Sequence, residues 1–90
     1  MTAQLTLPKI SHWIVFADLG RFGVASADAT PIFDDACSRF ADHMEQGEPA
    51  AVYRLDFATG SLVDVTAEAL ARVNQWLAAR GDDQLCGVAA

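Results

Sequence analysis

The chain has 90 residues, 52% of them hydrophobic and only 20% charged, with 12 Asp and Glu against 6 Lys and Arg for a formal net charge of −6. So apolar a chain is not a disordered acidic tail, and so short a chain has no room for two ordinary domains. Its negative charge argues against direct, non-specific nucleic-acid binding, which needs cations to displace counterions from phosphates.

The two cysteines, Cys37 and Cys86, fall in a helical pattern and in the tail. That spacing reads as two reduced thiols rather than a disulfide scaffold. The longest solid apolar run, Trp13 to Ala17, is far short of a membrane span, and no secretory leader pattern opens the chain. A cytoplasmic protein without membrane association is the expectation.

Residues 1–11 read as an irregular arm or edge strand carrying Leu5 and Leu7. His12 to Asp18 is short, β-branched and aromatic, the composition of a largely buried strand. Leu19 to Gly23 supplies a turn, and Val24 to Ala27 returns as the second strand of a hairpin. Thr30-Pro31 is the expected start of a helix, with the hydroxyl as cap and proline in the first turn. Ile32, Phe33, Ala36, Cys37, Phe40, Ala41 and Met44 then keep the 3.6-residue period, and Gly47 with Pro49 ends the run.

From Ala51 to Phe57 the period changes to two. Tyr53, Leu55 and Phe57 share one face; Arg54 and Asp56 share the other, which is expected to be the wet one. Ala58-Thr59-Gly60 is a hairpin loop, and Leu62 to Val65 pairs back. Thr66 is the expected cap of a second helix through Arg80, with Leu70, Val73 and Leu77 inward and Gly81 as the stop. Glu68 and Arg72 stand four apart in the favourable order for an ion pair. Residues 82–90 read as a loosely held tail from which Leu85 and Val88 dock on the core. The whole is an α+β fold of one domain over 1–90: two β-hairpin–helix units (ββαββα), with both helices on one face of an antiparallel four-stranded sheet.

Chemistry-bearing constellations are absent from this pattern. His12 and His43 have no partner at metal-ligand spacing, so neither metal nor cofactor is expected. None of Ser11, Ser26, Ser38 and Ser61 sits in a nucleophile elbow, and Cys37 lies on the apolar stripe. Gly20-Arg21-Phe22-Gly23 has the spacing of an RNA-clamping loop, but it joins strands rather than helices and lacks surrounding cations. A non-enzymatic protein is the reading.

The informative feature is where the charge sits. Asp28, Asp34, Asp35, Asp42, Glu45 and Glu48 face Arg39 alone between residues 28 and 48, a local net of −5; the rest of the chain sums to −1. Acids at a helix start complement its dipole, which explains Asp34 and Asp35. Asp42 and Glu45, near the other end, oppose it. One reading is a solvated face that keeps a small apolar protein soluble. The other is a ridge that docks on a basic partner protein, with Asp34, Asp35, Asp42 and Glu45 as contact residues. In size and charge alone the chain is similar to small acidic inhibitors of phages and mobile elements, such as anti-CRISPR and anti-restriction proteins, which imitate nucleic acid.

Trp76 falls to one side of the core direction of its helix, beside Ala69 and Arg80, and either seals the core edge or anchors a partner. Alternation in the first strand sends Ile14 and Phe16, or Trp13 and Val15, to the sheet face without helices, which is then expected to be covered by the arm, the tail or a second copy. A homodimeric or accessory-subunit domain is therefore the second reading. A small enzyme or ligand binder using His43 and nearby acids is the third.

Overall fold

A computed structural model describes residues 11–81, so the expected arm up to residue 10 and the tail, with Cys86, lie outside the described residues, and Ser11 is the first residue of a strand. The elements run β1 (Ser11–Asp18), a short 3-10 turn (Gly20–Phe22), β2 (Val24–Ser26), α1 (Phe33–Glu45), β3 (Ala50–Asp56), β4 (Ser61–Asp64) and α2 (Thr66–Arg80). All strand pairings are antiparallel, in the order β2-β1-β3-β4, so the two hairpins join through their first strands. Both helices pack on one face of the sheet, giving the α+β architecture expected from the pattern.

The core lies between that face and the helices. Val15 and Val52, paired across β1 and β3, meet Ala36, Cys37 and Phe40 of α1 and Ala69, Val73 and Leu77 of α2. Trp13, Phe33, Met44, Leu70 and Trp76 close its margins, half-buried. On α2 the innermost positions are thus Ala69, Val73 and Leu77, with Leu70 displaced from the centre to the edge.

The expected phase of β3 is reversed. Val52 is buried on the helix side, so Arg54 shares that side, whereas Tyr53 and Leu55 lie on the opposite, outer face with Ile14 and Phe16. The period of two was legible, but both faces of this strand carry apolar groups. A small β-branched residue that fits beneath Phe40 decides the phase, not the larger aromatic set.

Both helix starts also differ from expectation. Thr30 does not cap α1: its backbone makes a bridge to Trp13, with N–H···O distances of 2.8 and 2.9 Å, which keeps the chain extended there. Its hydroxyl accepts from the Ile32 N–H at 3.2 Å, in a turn preceding the helix. The helix begins at Phe33 after Ile32, and Ile32 leaves the apolar stripe to stand 54% exposed. The ends are as read: Gly47 and Gly81 have φ of 75° and 77°, the left-handed conformation a side chain with Cβ resists.

Thr66 is the first residue of α2 rather than its cap. β4 stops one residue short of Val52, and the chain beyond it completes the ladder. The Val65 N–H donates to the Val52 carbonyl at 2.9 Å, and the Val52 N–H donates to Thr66 Oγ1 at 3.0 Å. The Thr66 hydroxyl in turn donates to Asp64 Oδ1 at 2.6 Å, and the same oxygen accepts the Thr66 N–H at 2.9 Å. These bonds hold the Asp64 carboxyl below its ordinary pKa. Because Val52 is fully buried, Thr66→Val leaves its N–H unpaired and should cost about 1–3 kcal/mol, read from urea denaturation. Thr66→Ser, which keeps the oxygen, should recover most of that loss.

Candidate protein-binding surface

The helices bring the expected contact residues to one side of the molecule. Asp34, Asp35, Asp42 and Glu45 are all exposed on α1, and Trp76 is half-buried on α2. Their geometry divides them into three groups.

Asp34 is committed to the fold. The Arg72 guanidinium donates to it through two nitrogens, Nε to Oδ1 at 3.0 Å and Nη2 to Oδ2 at 3.2 Å, tying the first turn of α1 to α2. That fork holds the Asp34 carboxyl below its ordinary pKa. Arg72 therefore turns across to Asp34 instead of pairing with Glu68 along its own helix. Its guanidinium also stands 5.6 Å from the Trp76 ring centre and donates to Gln75 Oε1 at 3.4 Å. The cation fixes the indole as well as the helix.

Asp42, Glu45 and Trp76 are brought together. They line a groove of about 250 Å³ between the helices, with Ser38, Ala41, Val73, Leu77 and Arg80. The carboxylates stand on the α1 wall and the half-buried indole on the α2 side, with the buried Val73 and Leu77 at the floor. Arg80, the last residue of α2, also lines this groove. The signal for it was present in the spacing: Trp76 and Arg80 stand four apart and share a helix face.

Asp35 stands apart from the groove, in the first turn of α1. It precedes Asp42 by seven residues, two helical turns, and so extends the acidic ridge along the exposed side of α1. The exposed acids thus stand toward both ends of the helix, with Arg39 between them and Arg80 across the groove.

His43 takes no part in this surface. Its Nδ1 lies 2.7 Å from Glu48 Oε1, and the Glu48 N–H donates to the His43 carbonyl at 3.0 Å, so the pair clamps the end of α1. Cys37 is fully buried, and burial together with the charge of Asp34 pushes its thiol up to about 11. A thiol so protonated is a packing group rather than a nucleophile. Among the described residues, no three His, Cys, Asp or Glu side chains converge as a metal site requires, and no helix is long and apolar enough to cross a membrane.

No family model, no curated protein and no solved structure matches this chain.

Proposed function

We propose that this chain is a non-enzymatic protein-binding module that presents α1 to a basic surface of a partner protein. The observation that carries the reading is the shared groove of Asp42, Glu45 and Trp76. Carboxylates beside a fixed indole suit an Arg or Lys side chain, whose stem lies on the indole while its head meets the acids. The −5 concentrated between residues 28 and 48 adds long-range steering toward such a surface. Where the partner's basic surface is a nucleic-acid groove, occupation by the ridge excludes the phosphates, and the module acts as an inhibitor. His43 supports the non-enzymatic reading, since its Nδ1 serves the end of α1.

The test is affinity capture from cells of the source, run with the chain and with Asp35→Lys/Asp42→Lys/Glu45→Lys, each verified as folded by circular dichroism. All three side chains are exposed, so the variant keeps its core. The expected result is a captured protein with a basic surface, eluted by salt, whose affinity for the variant falls by at least about 100-fold, because like charges at an interface cost several kcal/mol. Equal capture by both proteins would remove α1 from the mechanism.

A further inference from the structure

The groove between the helices, on which the proposed function rests, is built in a way that singles out one cation. Its two walls are matching stripes: Ser38, Ala41, Asp42 and Glu45 on α1, and Val73, Trp76, Leu77 and Arg80 on α2. Each runs i, i+3, i+4, i+7 over two helical turns. The α1 stripe continues backward to Asp34 and the α2 stripe to Arg72, four residues before Ser38 and Trp76. The fork between Asp34 and Arg72 therefore stands on the same line between the helices, and the groove is its continuation.

That fork shows what a guanidinium does beside this indole. Arg72 gives two N–H groups to a carboxylate of α1 and stands 5.6 Å from the Trp76 ring centre. The groove repeats two of those three parts, carboxylates of α1 and the same indole, and leaves the carboxylates unpaired. Among the described residues, the Asp42 and Glu45 side chains have no hydrogen-bond or ion-pair partner. With Arg80 on the opposite wall, the groove holds two carboxylates against one guanidinium, an excess of one negative charge. A single added cation balances it.

Shape decides which cation fits. The groove of about 250 Å³ is on the scale of one side chain rather than of a docked helix, which is about 10–12 Å across. An ammonium is a compact, strongly hydrated point charge with no flat face. A guanidinium is planar, weakly hydrated and rich in donors, so it lies flat on an indole while donating to carboxylates at its edges. Residues three apart on a helix hold their β-carbons about 5–6 Å from one another, which brings Asp42 and Glu45 within reach of one guanidinium.

We infer that the groove binds one arginine side chain of the partner, in preference to lysine, with the guanidinium donating to Asp42 and Glu45 while its plane lies on the Trp76 indole. This specifies the basic partner of the proposed function and rests on that reading. Nuclear magnetic resonance of the isotope-labelled chain tests it, with blocked tripeptides carrying arginine, lysine or norleucine at the centre as probes. The Trp76 indole N–H reports on the groove, and that of Trp13, beside Phe33, is the internal control. The arginine peptide should shift the Trp76 signal and the Asp42 and Glu45 amides saturably, with affinity on the order of millimolar. The lysine peptide should bind at least about threefold more weakly, and the norleucine peptide should shift none of these signals. Asp42→Asn/Glu45→Gln, at two exposed positions, should lose the response to both cations, and Trp76→Leu should lose the preference between them. Equal responses to arginine and lysine would overturn the arginine assignment while leaving a basic partner in place. A Trp76 signal that no peptide moves overturns it too, as does a double variant that binds like the parent. Failure of the acidic ridge itself is read separately, from capture with the charge-reversed chain.

Discussion

Phe40→Ala should destabilise the protein by about 3–5 kcal/mol, the cost of deleting a fully buried aromatic ring from a core that cannot close around the void. Phe40 is fully buried and is the largest such side chain among the described residues. It stands where α1 meets the paired Val15 and Val52, with α2 completing the cluster. Small domains have roughly 5–15 kcal/mol of stability in all, so the variant should be partly unfolded at 37 °C or close to it. Urea denaturation followed by circular dichroism measures the loss. Ile32→Ala is the matching comparison. Both residues belong to the apolar stripe read from the sequence, but Ile32 is mostly exposed and its truncation should change stability by no more than about 0.5 kcal/mol. Equal losses at the two positions would contradict the observed start and phase of α1.

That contrast also marks the boundary of what was readable. The period of α1 gave its inward face because Ala36, Cys37 and Phe40 repeat at helical spacing between residues that tolerate water. Its start was not readable from Thr30-Pro31, because a tertiary contact, the bridge to Trp13, holds Thr30 extended before the helix begins. In β3 the alternation was plain while its phase was not: Tyr53, Leu55 and Phe57 outweigh Val52 in area, but Val52, paired with Val15, is the residue buried under the helices. Local patterns fix period; which face turns inward depends on the partner element. The same holds for the candidate surface. Exposed acids on α1 followed from their positions on the helix, whereas the groove with Trp76 and Arg80 depends on how two helices meet. Arg72 illustrates the competition. Glu68 is its neighbour along the helix, but Asp34 offers a two-pronged carboxylate across the interface, and the fork wins.

Cys37 links that ion pair to the stability of the core through pH. In the unfolded chain the thiol titrates near its ordinary value of 9.0; in the folded protein burial, aided by the negative charge of Asp34, moves it to about 11. Below 9 the thiol is protonated in both states and folding is unaffected. As pH rises above 9 the unfolded chain releases its proton first, so the folded state loses stability, until at about 11 the native thiol ionises too and the loss levels off. A two-unit separation corresponds to about 2–3 kcal/mol. Other groups also titrate in this range, so the measured quantity is the stability of the parent relative to Cys37→Ala, determined by urea denaturation at each pH. The variant carries a small cavity cost that does not change with pH. The difference between the two proteins should therefore be constant up to pH 9 and shift by that amount against the parent by about pH 11. A difference that stays flat would mean that the thiolate is as well accommodated inside the fold as in water, and the apolar packing of Cys37 among Phe40 and its neighbours would be refuted with it. Removing the Asp34 charge by Asp34→Asn should move the upper limit of the transition downward, because the carboxylate adds to burial in holding the thiol protonated and opposes the charge of Arg72. The acidic residue that joins α1 to α2 at the surface thus also acts on the interior, through the one titratable side chain that the core of α1 contains.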